Sequence, residues 1–216
     1  MALIPDSSSL VMLDYAGVAV FAATGALAAA KRGQTIVTFA LFSAMTGVGG
    51  GTLRDLLLGA PVFWVSEPHY IAVCIAVAGL IWAFGARWPG QQALLWLDAA
   101  GLSAYAVLGA AKAANHGAPP LVSVALGVLA ATFGGIVRDV VGGRPSVVLS
   151  REIYVSAAVL GAGLFVGFRL MGAAPDHAAL VGVGGAFALR AGALALGWSL
   201  PSYAGPEADD GSSPAP

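Results

Sequence analysis

Charged residues and cysteine are the two scarcest features of this 216-residue chain. Only 10% of its residues are charged, against about 25% in ordinary soluble domains, whereas 58% are hydrophobic and the mean hydropathy is +0.85. These values exclude a disordered chain and argue against a soluble enzyme. The ten basic and eleven acidic residues give a net charge of -1. The chain therefore has no basic excess with which to bind nucleic acid.

The single cysteine, Cys74, lies inside an apolar run. It excludes an intrachain disulfide and leaves no partner for a CxxC redox motif or a zinc site. The first basic residue is Lys31, so no basic region precedes the first apolar run, and we expect no cleaved signal peptide. We interpret residues 1–9 as an N-terminal tail and the Pro-, Gly- and Ser-rich residues 200–216 as a disordered C-terminal tail.

Long apolar runs dominate the rest of the chain, and each is close to the length of about 20 residues that a membrane-spanning helix needs. The runs are continuously apolar, which favours helices over the alternating pattern of a membrane β-barrel. The sequence therefore predicts an all-α membrane protein with seven transmembrane helices. The seven segments are residues 10–30, 35–58, 69–86, 93–113, 121–141, 153–171 and 178–198.

The loop charges predict the orientation. If the seven helices alternate in direction, most basic residues fall on the side that also holds the C-terminus, and basic loops face the cytoplasm. We therefore expect a multi-pass protein of the inner (plasma) membrane with its N-terminus outside. The basic residues on the predicted cytoplasmic side are Lys31, Arg32, Arg87, Arg144 and Arg151, whereas Lys112 and Arg169 flank the opposite loops.

The chain contains an internal repeat, in which equivalent residues such as Arg54 and Arg138 lie 84 positions apart. Each repeat holds three predicted helices, and because three is odd, the second repeat must be inverted relative to the first, as in many transporters and channels. We assign residues 10–92 to repeat 1, 93–177 to repeat 2 and 178–199 to a seventh helix outside the repeat. The main match aligns Gly50-Gly51-x-x-Arg54-Asp55 with Gly134-Gly135-x-x-Arg138-Asp139.

Glycine runs in the second and fifth helices are the first candidate site. They comprise Gly47, Gly49, Gly50 and Gly51 in the second helix and Gly134 and Gly135 in the fifth. Glycine lowers the cost of a helix break, and the freed backbone groups would have to face protein or a water-filled cavity. We expect a kinked, lined pathway here; the alternative is a glycine surface for close helix packing. Hydroxyls expected to line the pathway belong to Ser43, Thr46, Thr52, Ser103 and Thr132.

Charged residues within the membrane are the second candidate site, because each costs several kcal/mol unless it is paired or hydrated. Neighbouring Arg and Asp side chains on a helix point about 100° apart, so we expect each arginine to find a carboxylate elsewhere. The resulting hypothesis is two symmetric ion pairs, Asp14–Arg54 and Asp98–Arg138, with Asp55 and Asp139 free to face the pathway. The alternative is that all six side chains reach the headgroup region. We interpret Lys112, His116 and His177 as solvated interface residues, whereas Arg190 faces either a polar cavity or a carboxylate not identified from sequence.

These features resemble the trimeric intracellular cation channel family, whose prokaryotic members are also described as glycine transporters. The resemblance spans about residues 10–198 and depends on both Gly-Gly-x-x-Arg-Asp copies, the Gly-x-Pro that follows each copy, and the helix count. It implies a homotrimer in the lipid bilayer. Each subunit would hold its own potassium-permeable pore, framed by helices one, two, four and five. In animal members a basic motif on helix five binds a phosphoinositide; this chain reads Ile136-Val137-Arg138-Asp139 there, which argues against such binding.

Two functions therefore remain open from the sequence. The first is a passive potassium-permeable channel, in which carbonyl and hydroxyl oxygens replace hydration water and carboxylates favour cations. The second is a secondary transporter for a small neutral amino acid such as glycine, built on the same inverted repeat. We expect no enzyme, because HExxH, GxSxG and a membrane-embedded Ser–His arrangement are missing from the sequence. We also expect no cofactor and no metal other than transient potassium.

Overall fold

A computed structural model describes residues 8–84, 90–146 and 153–201, and this part of the chain is helical with no extended sheet. Five helices are long and apolar enough to cross a membrane, and two shorter apolar helices, α4 and α7, have 16 residues each. The helices are α1 (Ser8–Ala30), α2 (Ile36–Leu57), α3 (Phe63–Ser66), α4 (His69–Phe84), α5 (Gly90–Asn115), α6 (Pro120–Val141), α7 (Val155–Leu170) and α8 (Pro175–Leu196).

The seven predicted segments correspond to α1, α2, α4, α5, α6, α7 and α8, with ends that differ by three residues or fewer. The prediction missed the short helix α3, which follows the Gly-x-Pro turn after α2. The predicted cytoplasmic residues Arg87 and Arg151, and residues 202–216 of the expected C-terminal tail, lie outside the described residues.

Local sequence explains where several helices begin and end. The Thr35 hydroxyl accepts a hydrogen bond from the Thr38 backbone N–H and caps the N-terminus of α2. Pro120 and Pro175 occupy the first helical positions of α6 and α8, where no intrahelical N–H bond is required. Helix α8 ends at Leu196, and the following Gly197, with a positive φ of 70°, forms a left-handed C-cap.

The contacts between helices follow the predicted inverted repeat. A Cβ on Gly50 would overlap the backbone oxygen of Ala130, and a Cβ on Gly134 would lie 2.5 Å from the backbone oxygen of Thr46. A shift of 84 positions exchanges Gly50 with Gly134 and Thr46 with Ala130, so the two contacts are symmetry equivalents. They place a pseudo-two-fold axis at the crossing of α2 and α6.

A second equivalent pair of contacts lies where α1 crosses α5. Gly17 abuts the ring of Tyr105, and Gly101 abuts the ring of Phe21. The two rings meet edge to face, with centroids 5.4 Å apart. The same exchange of 84 positions relates both glycines and both rings, so the axis also passes between α1 and α5.

Helices α1, α2, α6 and α5 form a ring in which each helix packs along its two neighbours. The diagonal pairs, α1 with α6 and α2 with α5, barely touch. Helix α4 covers α1 and α2 on one side; α7 covers α5 and α6 on the other, and α8 packs on α5 and α7. Two helices from each repeat therefore surround the centre of this four-helix ring.

Candidate functional site

The glycine runs do not break their helices. Helical structure continues through residues 47–51 of α2 and through Gly134 and Gly135 of α6, so the expected break in the helical hydrogen bonding is wrong. Gly50 and Gly134 are needed because a backbone oxygen of the opposite helix occupies the space of a side chain. The close-packing alternative accounts for these two glycines, since a missing Cβ lets two helix backbones approach.

The other glycines of the runs face different neighbours. A Cβ on Gly47 would lie 2.9 Å from Cys74 Sγ, one on Gly51 would lie 2.6 Å from the Phe63 ring, and one on Gly135 would lie 2.9 Å from the Tyr154 hydroxyl. Gly49 is the exception, because its nearest neighbour would be the Gly134 Cα at 3.9 Å, an ordinary contact.

The five hydroxyl groups singled out from sequence are all buried or half-buried, and four of them donate to backbone oxygens. Ser43 reaches across to the Ala22 oxygen of α1 at 2.9 Å. The other three bond within their own helices: Thr52 to Val48, Ser103 to Ala99 and Thr132 to Val128. Thr46 differs, because its buried Oγ1 has no hydrogen-bond partner among the residues that the structure describes.

We name the two ends of the four-helix ring after Asp55 and Asp139. At the Asp139 end, Arg138 is 2% exposed and contacts two carboxylates, Asp98 at 2.6 Å and Asp139 at 2.9 Å. Its Nη1 also donates to the Thr24 hydroxyl at 3.1 Å. Because Thr24 belongs to α1, this last bond spans the α1–α6 diagonal of the ring.

At the Asp55 end, the Asp55 carboxylate is fully buried and holds three donors. Arg54 contacts Oδ1 at 2.8 Å, and Oδ2 accepts from the Phe63 backbone N–H at 3.0 Å and from the Lys112 ammonium at 2.9 Å. Lys112 belongs to α5, so its bond spans the α2–α5 diagonal. Each end of the ring therefore carries one polar link across a diagonal.

The structure corrects three predictions about these charges. Arg54 and Arg138 both contact the aspartate that follows them, because a long guanidinium side chain can fold back over a 100° turn. The prediction that Asp55 and Asp139 are both free is therefore wrong, because each is bonded to the arginine that precedes it. Lys112, which we interpreted as a solvated interface residue, is 29% exposed and pairs with Asp55.

Only one of the two expected symmetric pairs lies within ion-pair distance in the described residues. Asp98 and Arg138 meet, whereas Arg54 bonds Asp55 and Asp14 instead accepts from the Tyr70 hydroxyl at 2.8 Å. Tyr70 also stacks on Tyr15 with a centroid separation of 4.3 Å. The two ends thus use equivalent residues in different arrangements.

Arg190 lies outside the ring, on α8. It is 1% exposed, its guanidinium lies 5.2 Å from the centroid of the Tyr154 ring, and it donates to the Ile153 backbone oxygen at 3.4 Å. A cation over an aromatic face is favourable in a desolvated setting. This arginine therefore ties α8 to the segment before α7, a role that the sequence did not reveal.

Basic loop residues approach each other near the Asp139 end. The Arg32 guanidinium lies 3.1 Å from the position that a Cβ on Gly143 would occupy. Partial burial and the positive charge of Arg144 lower the pKa of Lys31. The loop after α1 and the loop after α6 therefore bring their basic residues to the same end of the ring.

Comparisons with known proteins give the chain its relatives. The model of a family described as glycine transporter matches residues 11–86 and 95–169, the two repeats. A membrane protein of Vibrio cholerae is 33% identical, in an alignment that covers 92% of this chain and 84% of that protein. The inner membrane protein YadS of Escherichia coli is 33% identical, in an alignment that covers 89% of this chain and 95% of that protein.

Solved structures of similar proteins also point to one family. The orthologue of trimeric intracellular cation (TRIC) channels from Rhodobacter sphaeroides is 47% identical, with a TM-score of 0.86 over 89% of this chain and 100% of that one. A prokaryotic TRIC channel is 26% identical, with a TM-score of 0.83 over 89% and 98%. These relatives are described as channels and membrane proteins, not as enzymes. The chain is therefore a multi-pass membrane protein that belongs to the TRIC channel family, whose sequence model is described as glycine transporter.

Proposed function

We propose that this chain is a monovalent-cation channel, permeable chiefly to potassium, with one pore in each subunit of a homotrimer. The observation that carries the proposal is the four-helix ring of α1, α2, α5 and α6, whose diagonals barely touch. Similarity to structures described as TRIC cation channels supports the cation-channel class. The passage would follow the centre of the ring, past the glycine crossing of α2 and α6.

The buried charges at the Asp139 end support cation selectivity. At the Asp139 end, two carboxylates surround one guanidinium, so the Asp98–Arg138–Asp139 cluster has a formal charge of minus one. Carboxylates at the ends of a pore attract cations and repel anions. Asp139 is 7% exposed, and we propose that it faces the entering ion.

Oxygen atoms midway along the ring support a place for a dehydrated ion. Among the described residues, the buried Thr46 Oγ1 has no hydrogen-bond partner; it lies 2.7 Å from the position that a Cβ on Gly25 of α1 would occupy, and an unsatisfied buried hydroxyl is costly. The helices of a potassium pathway need such oxygens to replace hydration water. We propose that Thr46 lines the passage. Ser43, which is close to Thr46 in the sequence, and Thr132, which has a nearby position in the second repeat, would line it as well.

The basic loop residues support the proposed orientation, in which the Asp139 end faces the cytoplasm and the N-terminus lies outside. Lys31 and Arg32 follow α1 and Arg144 follows α6, so all three lie in loops at that end, and basic residues concentrate on the cytoplasmic side of membrane proteins. The description of YadS as an inner membrane protein supports the same membrane for this chain.

A second candidate function is secondary transport of a small neutral amino acid, which the family's description as glycine transporter favours. Purified protein in liposomes separates the two. Passive potassium efflux that continues without glycine is the result we expect. Saturable glycine uptake coupled to an ion, with no passive potassium flux, would reject the channel.

The variant Asp139→Asn tests the position of the pathway in the same liposomes. Removing this carboxylate lowers the local cation concentration at the Asp139 end, so potassium efflux should slow several-fold. Asp176→Asn is the matched control, because Asp176 is exposed in the first turn of α8, outside the ring. Equal fluxes for both variants and the parent would remove Asp139 from the pathway.

A further inference from the structure

The pseudo-symmetry of the ring fails at Lys112. Its repeat equivalent is Ala28, whereas its partner Asp55 is equivalent to Asp139. Equivalent positions of the two repeats therefore carry an ammonium at the Asp55 end and a methyl group at the Asp139 end. Because the Asp139 end folds with Ala28 in this place, the helix crossing itself does not require a lysine.

The geometry of the contact between Lys112 and Asp55 suits a cation that is bound but can be exchanged. Asp55 is fixed, since it is fully buried and bonded to Arg54 and to the Phe63 backbone N–H. Lys112 is 29% exposed and carries its charge on a flexible stem. Its Nζ also lies 5.8 Å from the centroid of the Phe63 ring, so the site offers a carboxylate oxygen and an aromatic face to a cation.

We propose that the Asp55 carboxylate is a cation-binding site of the passage and that the Lys112 ammonium is its tethered occupant, which a permeating potassium ion displaces. This inference rests on the proposed channel function. Potassium that enters from the Asp55 end competes with Lys112, whereas potassium that enters from the Asp139 end meets Ala28 at the equivalent position. The competition makes the current of the parent channel rectify.

A purely structural role for Lys112 predicts something different. In that case Lys112→Met would destabilise the protein equally in every salt, because Asp55 would lose a partner that no solute replaces. If Asp55 is a cation site, added potassium refills it, and a ligand that binds only the folded state raises the melting temperature.

Thermal unfolding of the purified full-length protein distinguishes these cases. The parent, Lys112→Met and Lys31→Met are compared in KCl and in N-methylglucamine chloride at equal ionic strength. Lys31→Met is the control, because Lys31 is the other lysine of the chain and is exposed in the loop after α1. We expect KCl to raise the melting temperature of Lys112→Met more than that of the parent or the control. An equal response of all three proteins would overturn the inference.

Single-channel recording in planar bilayers gives the second test. Lys112→Met should conduct several-fold better from the Asp55 end and lose rectification, whereas Lys112→Arg should keep it. A current–voltage relation of Lys112→Met that matches the parent would overturn the inference and leave the proposed channel standing. If the parent carries no potassium current, the channel proposal fails, and the melting experiment still decides whether Asp55 binds a cation.

Discussion

At the scale of single residues, the two ends of the ring show how one motif can be satisfied in two ways. Arg138 bridges Asp98 and Asp139, while Arg54 contacts Asp55. Lys112 supplies the second positive charge at the Asp55 end. Removing one member of a buried ion pair is costly because the remaining charge stays uncompensated. The cost should therefore differ between the two arginines.

We predict that Arg138→Ala destabilises the protein by about 3–5 kcal/mol, the usual loss when a buried pair is broken. Arg54→Ala should cost less, because Asp55 keeps the Lys112 ammonium. Thermal unfolding of the two purified variants checks this comparison, and each variant is the matched control of the other. Equal losses of stability would show that Lys112 does not compensate Asp55.

The sequence located these charges and predicted one partner correctly, Asp98 for Arg138, but it missed the contacts of Asp55 with Arg54 and Lys112. The repeat identified Asp14 and Asp98 as equivalent residues, and likewise Arg54 and Arg138. The angular spacing of residues on a helix, however, does not show how far a long arginine side chain can fold back. The Lys112 partner was missed because a lysine near a helix end is usually solvated. The available signal was the failure of the repeat at this position, where Ala28 is the equivalent residue.

At the scale of the helices, the α2–α6 crossing is the most constrained contact that we describe. The sequence predicted seven helix positions closely, since the apolar runs have clear ends at charged, Gly and Pro residues. The glycine runs were ambiguous, because the same residues permit a break or a close approach. Only the positions of the backbone oxygens of Ala130 and Thr46 decide in favour of close approach.

We predict that Gly50→Ala and Gly134→Ala each lower the free energy of unfolding by about 1–3 kcal/mol or more, the usual cost of overpacking a core. Each new methyl group would collide with a backbone oxygen, which cannot rotate away. Gly49→Ala is the control, because its Cβ would meet its nearest atom at 3.9 Å. Its stability should match or slightly exceed that of the parent, since alanine favours a helix by about 1 kcal/mol. A Gly49→Ala loss equal to the other two would contradict the crossing.

At the scale of the whole molecule, the proposed pore lies within each subunit, so assembly and conduction are separate properties. Large apolar side chains are exposed along the outer helices, including Leu160 of α7 and Leu180 and Phe187 of α8. These surfaces face either lipid or another subunit. We predict that native mass spectrometry of the detergent-solubilised protein gives the mass of three chains. A mass of one or two chains would contradict the homotrimer.

The reversal potential of the purified protein in a planar bilayer under a KCl gradient tests cation conduction through the ring most directly. A cation passage through the four-helix ring predicts discrete currents that reverse near the equilibrium potential of potassium. Currents that reverse near the equilibrium potential of chloride would contradict the cation selectivity. A protein that folds and inserts but carries no current would contradict the channel itself.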